Sequence, residues 1–307
     1  MAAYGVAAMY RFVHLPDPEG ARELLLGQIQ RAGLCGTLLV AEEGLNGTIA
    51  GPPAALRGFV DWLRGGGTLG GRFAEVDVKW STAEDRPFRK TRVRVKREIV
   101  TLGVAGVSPV AKEGPGSAGR YVDPAEWDAL LDDPGVTVVD TRNDYEVELG
   151  TFIGASGAAI NPQTESFRGF PAFVREKLDP GRHRKVAMFC TGGIRCEKST
   201  AYLKAQGFED VVHLKGGILR YLEEVPAERS RFRGACFVFD RRVAVTHGLA
   251  ETEHELCFAC GWPTTAAQRS EPTYRVGVSC PRCVGKHTAE QEARFGMRQA
   301  QTQRREG

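Results

Sequence analysis

The sequence predicts a mixed α/β protein in three parts: an α+β domain, a second domain built on a parallel sheet, and a small cysteine-containing C-terminal region. Three observations predict it. Strand-like and helix-like periods follow in the order βαββαβ over the first hundred residues. Strands then alternate with helices from Tyr121 onward, and four of the eight cysteines fall in two C-x-x-C pairs near the end. At 307 residues, with 42% hydrophobic and 26% charged composition, the chain fits two or three globular domains and excludes disorder, collagen and coiled coil. Forty-one Lys and Arg against 38 Asp and Glu give +3, too mild to identify a nucleic-acid partner, so any basic surface must be local. No stretch approaches the ~20 consecutive apolar residues of a membrane span. The opening MAAYGVAAMYRFVHLPDPEG lacks a cationic start and is broken by Arg11, so no signal peptide is expected and the chain is placed in the cytoplasm. In that reducing compartment the cysteines point to metal ligands or reactive thiols rather than disulfides.

In the first part, YGVAAMYRFV (residues 4–13) reads as a strand. Asp17 before Pro18 opens a helix with Leu24, Leu25 and Ile29 on its apolar face, closed by Gly33. CGTLLVA is the next strand, EEGLNG a turn in which Asn46-Gly47 tolerates positive φ, and GTIAG the hairpin partner. Pro53 starts a second helix, with Leu56, Phe59, Val60 and Leu63 at helical spacing. Beyond the flexible GGGTLGG, EVDVKW and RVRVKREIVTL both alternate as strands do. The order is ferredoxin-like and defines a domain over 1–106. SPVAKEGPGSAGR changes composition abruptly and marks a linker over 107–120. Its Gly114-x-Gly116-x-x-Gly119 is no dinucleotide fingerprint, because it follows Lys112-Glu113 and not a buried strand.

From Tyr121 the pattern becomes α/β. Asp123-Pro124-Ala125-Glu126 is a helix start with the residues of a capping box, and VTVVD is a strand ending in a carboxylate. KVAMFC is a strand, CEKSTAYLKAQG a helix closed by Gly207, DVVHL a strand and GGILRYLEEV a helix. Such alternation implies a parallel sheet covered on both faces, here over 121–228, with ligands at the carboxyl ends of its strands. Cys190 stands at one such end. Residues 229–307 form the cysteine-rich region and a polar tail.

The segment CTGGIRC, Cys190 to Cys196, leaves an apolar strand, turns through two glycines and enters a helix. A thiol there faces loop N–H groups, the positive end of a helix dipole and the charge of Arg195, all of which favour the thiolate. Gly192 and Gly193 permit consecutive N–H groups to point inward and cradle an anion on or near the sulfur. Cysteine phosphatases place five residues between Cys and Arg. Here only four lie between Cys190 and Arg195, a tighter ring suited to a smaller group such as the outer sulfur of a persulfide. Cys196 either resolves an oxidised Cys190 or packs beneath the loop.

VTVVDTRNDYEVELGTFIGA, MFCTGGIRCEKS and HLKGGILRY resemble a rhodanese domain, with Asp140, Arg142 and Glu146 matching that family's first signature and Cys190 its persulfide-forming cysteine. More narrowly, the CTGGIRCEKS wording, the preceding ferredoxin-like domain and the following cysteine-rich region resemble the rhodanese-type tRNA uridine hydroxylase family, from Tyr10 to about Cys283. The resemblance implies oxygen-dependent 5-hydroxylation of the wobble uridine of tRNA. Molecular oxygen would be co-substrate, beside a reductant that no residue identifies. It implies Cys190 as the essential residue with Arg195 beside it, and Thr191, Gly192, Gly193, Ile194 and Cys196 as the active-site loop. The expected partner is tRNA, with neither DNA nor membrane. Chemistry alone leads to the alternative, a sulfurtransferase carrying sulfane sulfur as a Cys190 persulfide. For hydroxylation, either Cys190 adds to carbon 6 of the base, or a persulfide or oxidised cysteine takes part directly.

RPFRKTRVRVKR, Arg86 to Arg97, holds seven basic residues and no acid. On a strand, Arg92, Arg94 and Lys96 share one face while Val93 and Val95 face the core. With Arg86, Arg89 and Lys90 they form a row suited to a phosphate backbone, and Phe88 is a candidate to stack on a base. Cys257-x-x-Cys260 and Cys280-x-x-Cys283 lie 19 residues apart, the spacing of a four-thiolate structural zinc site, with His254 and Cys236 as spare ligands. His213, ahead of the KGGI turn, reads as a buried structural histidine on a strand whose following loop approaches Cys190.

Overall fold

The computed structural model describes residues 4–65, 69–110 and 118–306. The first sheet is built from β1 (Tyr4–Phe12), β2 (Cys35–Ala41), β3 (Gly44–Gly51), β4 (Asp77–Ala83) and β5 (Thr91–Val95), in the order β4-β1-β3-β2-β5. The first four strands are antiparallel and β5 adds to β2 in parallel, so the ferredoxin-like order stands with an extra edge strand. Helices α1 (Pro18–Arg31) and α2 (Pro53–Gly65) cover one face. Asp17 caps α1 by accepting from the Gly20 N–H at 2.9 Å, and Ala21, Leu25 and Ile29 form its buried stripe. Leu24, expected on that stripe, is 39% exposed and lies outside it. Leu25, Ile29, Leu38, Ile49, Leu56 and Phe59 make the core.

The hairpin turn differs from expectation. It is formed by Glu42 and Glu43, while Asn46 and Gly47 lie inside β3. Pairing explains this, because a Cβ on Gly47 would stand 2.0 Å from the Thr37 carbonyl oxygen, so glycine serves a close strand approach here. Strand β5 also ends earlier than its alternation suggests. After Lys96 donates its N–H to Val40, the chain turns so that the Glu98 carboxylate accepts from the N–H groups of Leu102 and Gly103. Half of the expected linker, residues 111–117 with Gly114 and Gly116, lies outside the described residues, as do residues 66–68 of the glycine-rich GGGTLGG. Gly119 donates to Thr200 Oγ1.

The second sheet is fully parallel: β6 (Arg120–Val122), β7 (Val136–Asp140), β10 (Lys185–Phe189) and β11 (Asp210–Leu214) lie in the order β6-β11-β10-β7. Helices α3 (Pro124–Asp132) and α7 (Gly217–Glu224) pack together, as do α5 (Phe170–Lys177) and α6 (Ile194–Ala205). Strand β10 shows why both faces are covered: Val186 and Met188 join Phe170, Phe173 and Leu203, while Phe189 meets the rings of Trp127 and Phe152. The Asp123 side chain makes no cap. It pairs with Lys215 at 3.1 Å, and the capping box occurs instead at Asn143 and Glu146, opening the one-turn α4 (Asp144–Val147).

A small antiparallel layer joins β8 (Gly150–Gly154) with β9 (Gly157–Ala158) and β12 (Phe232–Gly234). Because β12 pairs with β8, the compact body extends past the expected boundary at 228. One unit runs to Cys236 and includes His247–Leu249, so the first two expected domains form a single body. The other comprises Phe237–Thr246 and the residues from Ala250 onward. The C-terminal stretch holds the short β13 (Cys236–Phe237), β14 (Ala244–Val245), β15 (Glu255–Leu256) and β16 (Pro263–Thr264), then α8 (Ala266–Arg269) and α9 (Ala289–Glu306). Among the described residues, no helix is long and apolar enough to cross a membrane.

Candidate active site

Cys190 directly follows the last residue of β10 and is fully buried. Gly193 sits in the left-handed region at φ 100° and opens α6, and its N–H donates to Cys190 Sγ at 3.1 Å. Gly192 adopts no such conformation, so only one of the two glycines supplies the expected freedom. Burial opposes ionisation of Cys190. Against it act a hydrogen bond from the Cys196 thiol, the Arg195 charge, and the backbone N–H groups of Cys196 and Gly193. The donors win, and the Cys190 thiol titrates below the ordinary cysteine range. Cys196 is buried as well. Burial first, and then the neighbouring Cys190, push its thiol well up, so it stays protonated and donates. Its sulfur also lies 3.6 Å from Thr141 Oγ1.

The loop is held from two sides. The N–H groups of Ile218 and Leu219, at the start of α7, donate to the carbonyls of Cys190 and Thr191 at 2.9 and 3.0 Å. That approach requires glycine at 217, where φ is 67° and a Cβ would stand 2.5 Å from the Cys190 oxygen. On the other side Glu146 accepts both arms of Arg195 at 2.6 and 2.7 Å, and the Thr191 hydroxyl at 3.2 Å. Burial would raise the Glu146 carboxyl, but the Arg195 guanidinium outweighs it and holds it low and ionised. Arg142 is in turn clamped by Asp140 at 2.6 Å and by the carbonyls of Glu146 and Gly150. Arg195 thus serves the sulfur through its charge and its grip on the loop.

Residues 4–99 match the UPF0176 acylphosphatase-like domain family, and residues 123–224 the rhodanese-like domain family. Over 98% of its length the chain is 51% identical to a tRNA uridine(34) hydroxylase of Teredinibacter turnerae, covering 90% of that protein. The chain belongs to the tRNA uridine(34) hydroxylase family. Among solved structures it is similar to the rhodanese-like domain of an Anabaena protein, with 20% identity, 37% of this chain, 78% of that one and a TM-score of 0.30. It is also similar to an acylphosphatase of Coxiella burnetii, with 12% identity, 29% and 90% coverage and a TM-score of 0.22.

The family's acylphosphatase-like half reaches the loop through residues that sequence reasoning missed. Tyr10 of β1 donates to Glu197 Oε1 at 2.8 Å, Tyr121 also bonds to Glu197, and a Cβ on Gly193 would meet the Tyr10 oxygen at 2.9 Å. Burial raises the Glu197 carboxyl above its ordinary range, against the two tyrosine hydrogen bonds. Next to it Lys198, almost wholly buried, donates to Glu43 at 2.8 Å and to Glu98 at 2.5 Å. The only sequence signal was the polar run Glu197-Lys198-Ser199-Thr200 on a helix between two glycines, which reads as a solvated face. Beside these residues lies a cavity of about 180 Å³, lined among others by Tyr10, Phe12, Tyr121, Glu197, Lys215 and Gly216. Ile194 packs against Tyr10, Phe12 and Ile99 and so belongs to this junction.

The basic row is exposed as expected at Arg86, Arg89, Lys90, Arg92, Arg94 and Lys96, with Val93 buried beneath it. Phe88 departs from the expected exposure: it is half-buried, packed on Val6, Cys35, Ala50 and Ala83 of four neighbouring strands, because the chain entering β5 crosses that face of the sheet. His213 is fully buried, neither ring nitrogen has a hydrogen-bond partner among the described residues, and its ring lies 4.3 Å from that of Tyr121. Burial pulls its pKa to about 4, so it is a neutral packing residue. The sulfurs of Cys257, Cys260, Cys280 and Cys283 all lie within 4.8 Å of one another. Neither spare ligand joins them: Cys236 bonds with Thr191, and His254 Nδ1 lies 2.8 Å from Thr252 Oγ1.

Proposed function

We propose that this chain hydroxylates carbon 5 of uridine 34 in tRNA, with Cys190 as the reacting group. The near full-length identity to a tRNA uridine(34) hydroxylase carries this reading, and the low-titrating thiol supports the chemistry. One atom of molecular oxygen goes to the base. The other leaves as water, with two electrons from an external reductant. Cys190 activates the ring by adding to carbon 6: its electron pair forms the C–S bond, and the ring double bond shifts its electrons toward carbon 5 and the neighbouring carbonyl. After oxygen is delivered, loss of the carbon 5 proton expels the thiolate and restores the double bond. The tRNA backbone lies along Arg86, Arg89, Lys90, Arg92, Arg94 and Lys96. The target base leaves its stack to reach a buried sulfur.

Nucleoside mass spectrometry tests this on unmodified tRNA incubated in air with the protein and a reductant. A gain of one oxygen on uridine, lost in Cys190→Ala, is expected. A parallel sample with thiosulfate separates the alternative. Sulfur replacing oxygen in the base, or thiosulfate consumed with the tRNA untouched, makes the chain a sulfurtransferase.

A further inference from the structure

Four cysteines take no part in the chemistry at Cys190. Cys257 and Cys260 sit at the turn of the β15–β16 hairpin, where the Cys257 N–H donates to Trp262, and the Gly261 N–H donates back to Cys257 at 2.7 Å. Gly261 has φ 78°, the left-handed turn that brings the second thiol around beside the first. Cys280 and Cys283 occupy an equivalent turn: the N–H groups of Cys283 and Val284 donate to the Cys280 carbonyl, and Gly285 follows at φ 75°. The chain thus builds two like-shaped knuckles and sets them face to face.

The distances between the sulfurs discriminate between chemistries. Cys257 to Cys283 is 3.9 Å, Cys260 to Cys280 is 3.7 Å and Cys280 to Cys283 is 3.7 Å. A disulfide would need about 2.05 Å. A tetrahedron of thiolates about 2.3 Å from a central Zn²⁺ has edges of about 3.8 Å. The Cys280 N–H donates to Cys283 Sγ at 3.2 Å, the kind of outer hydrogen bond that orients a ligating sulfur. Among the described residues no His, Asp or Glu joins the group, so a bound ion would have four soft ligands.

The surroundings give the ion a task. Cys257, Cys280 and Cys283 are themselves the buried residues of this core, and among the described residues the apolar groups packed against them are only Ala259, Cys260 and Tyr274. So small an apolar cluster leaves the loops between 250 and 288 little to close on, and a metal supplies what the core lacks. Helix α9 is fastened to this frame through Arg298, which donates to the Phe258 carbonyl inside the first knuckle, and through Arg275 and Glu292 at 2.5 Å.

We propose that Cys257, Cys260, Cys280 and Cys283 bind one Zn²⁺ as thiolates, in a closed site that organises the C-terminal unit and leaves no position open for substrate. Each thiol gives its proton to solvent on binding, and no electron is transferred. The assignment does not depend on the reaction proposed for Cys190. The test is elemental analysis of the full-length protein, purified without metal-affinity steps and dialysed exhaustively. About one zinc per chain is expected, and a mercurial reagent should release it as thiols are titrated. Cobalt exchanged into the site should show the ligand-field and sulfur-to-metal bands of a tetrahedral thiolate. Cys257→Ser and Cys280→Ser should lose the metal, while Cys35→Ser, which is not one of the four ligands, keeps it. Zinc near zero in the unmodified protein, iron in its place, or full zinc in both cluster variants would each overturn the assignment.

Discussion

At Cys190, a fully buried thiol is kept ionisable by donors aimed at it, and the same burial that favours a neutral sulfur keeps water from weakening those donors. His213 shows burial acting without donors. Its folded pKa is about 4 against an ordinary 6.5, so the native state holds it neutral while the unfolded chain protonates it. Between those values the unfolded state binds more protons. The stability from this residue is therefore complete above about pH 6.5 and is lost as pH falls toward 4, by ~3 kcal/mol in all. His213→Phe should remove that share of the acid sensitivity. Urea midpoints measured at pH 7 and pH 4.5 should fall less in the variant than in the parent, and equal falls would reject the account.

At the scale of elements, the row on β5 was legible because a strand alternates its faces. Arg92 and Arg94 point out and Val93 in, as the period of two requires. Phe88 was not, since whether a ring before the strand faces water or covers the sheet depends on Val6, Cys35 and Ala50 from other strands. Replacing Arg92 and Arg94 together with Ala should raise the KM for tRNA and leave kcat near its parent value. The salt slope of binding should flatten by roughly 0.9 for each phosphate no longer neutralised. An unchanged KM and slope would assign the row to protecting an edge strand. The loop between β10 and α6 was likewise readable from Cys190, Gly193 and Arg195. The partner that holds it, Glu146, was hinted at only by its capping-box spacing from Asn143.

Across the whole molecule, Lys198 joins the acylphosphatase-like and rhodanese-like halves by meeting Glu43 and Glu98, and Tyr10 does so by meeting Glu197. Lys198→Met would leave two carboxylates facing each other without their cation, at a cost of about 3–5 kcal/mol near neutral pH. Those carboxylates would then hold their protons more tightly in the folded state than in the unfolded one. The penalty should therefore shrink as pH falls toward 5. Denaturation midpoints of parent and variant at pH 8 and pH 5 check this, and a gap that does not narrow would show that the lysine acts through packing and not through charge. By itself the sequence determined the order of elements, the ferredoxin-like and parallel-sheet halves, the reactive loop and the paired cysteine knuckles, because each rests on periodicity or spacing within a short stretch of chain. Only the tertiary structure decided that the first two parts form one body, that β12 belongs to the second of them, and that polar residues on α6 are buried partners. A charged residue's burial depends on which distant groups fold over it, and no local pattern records that.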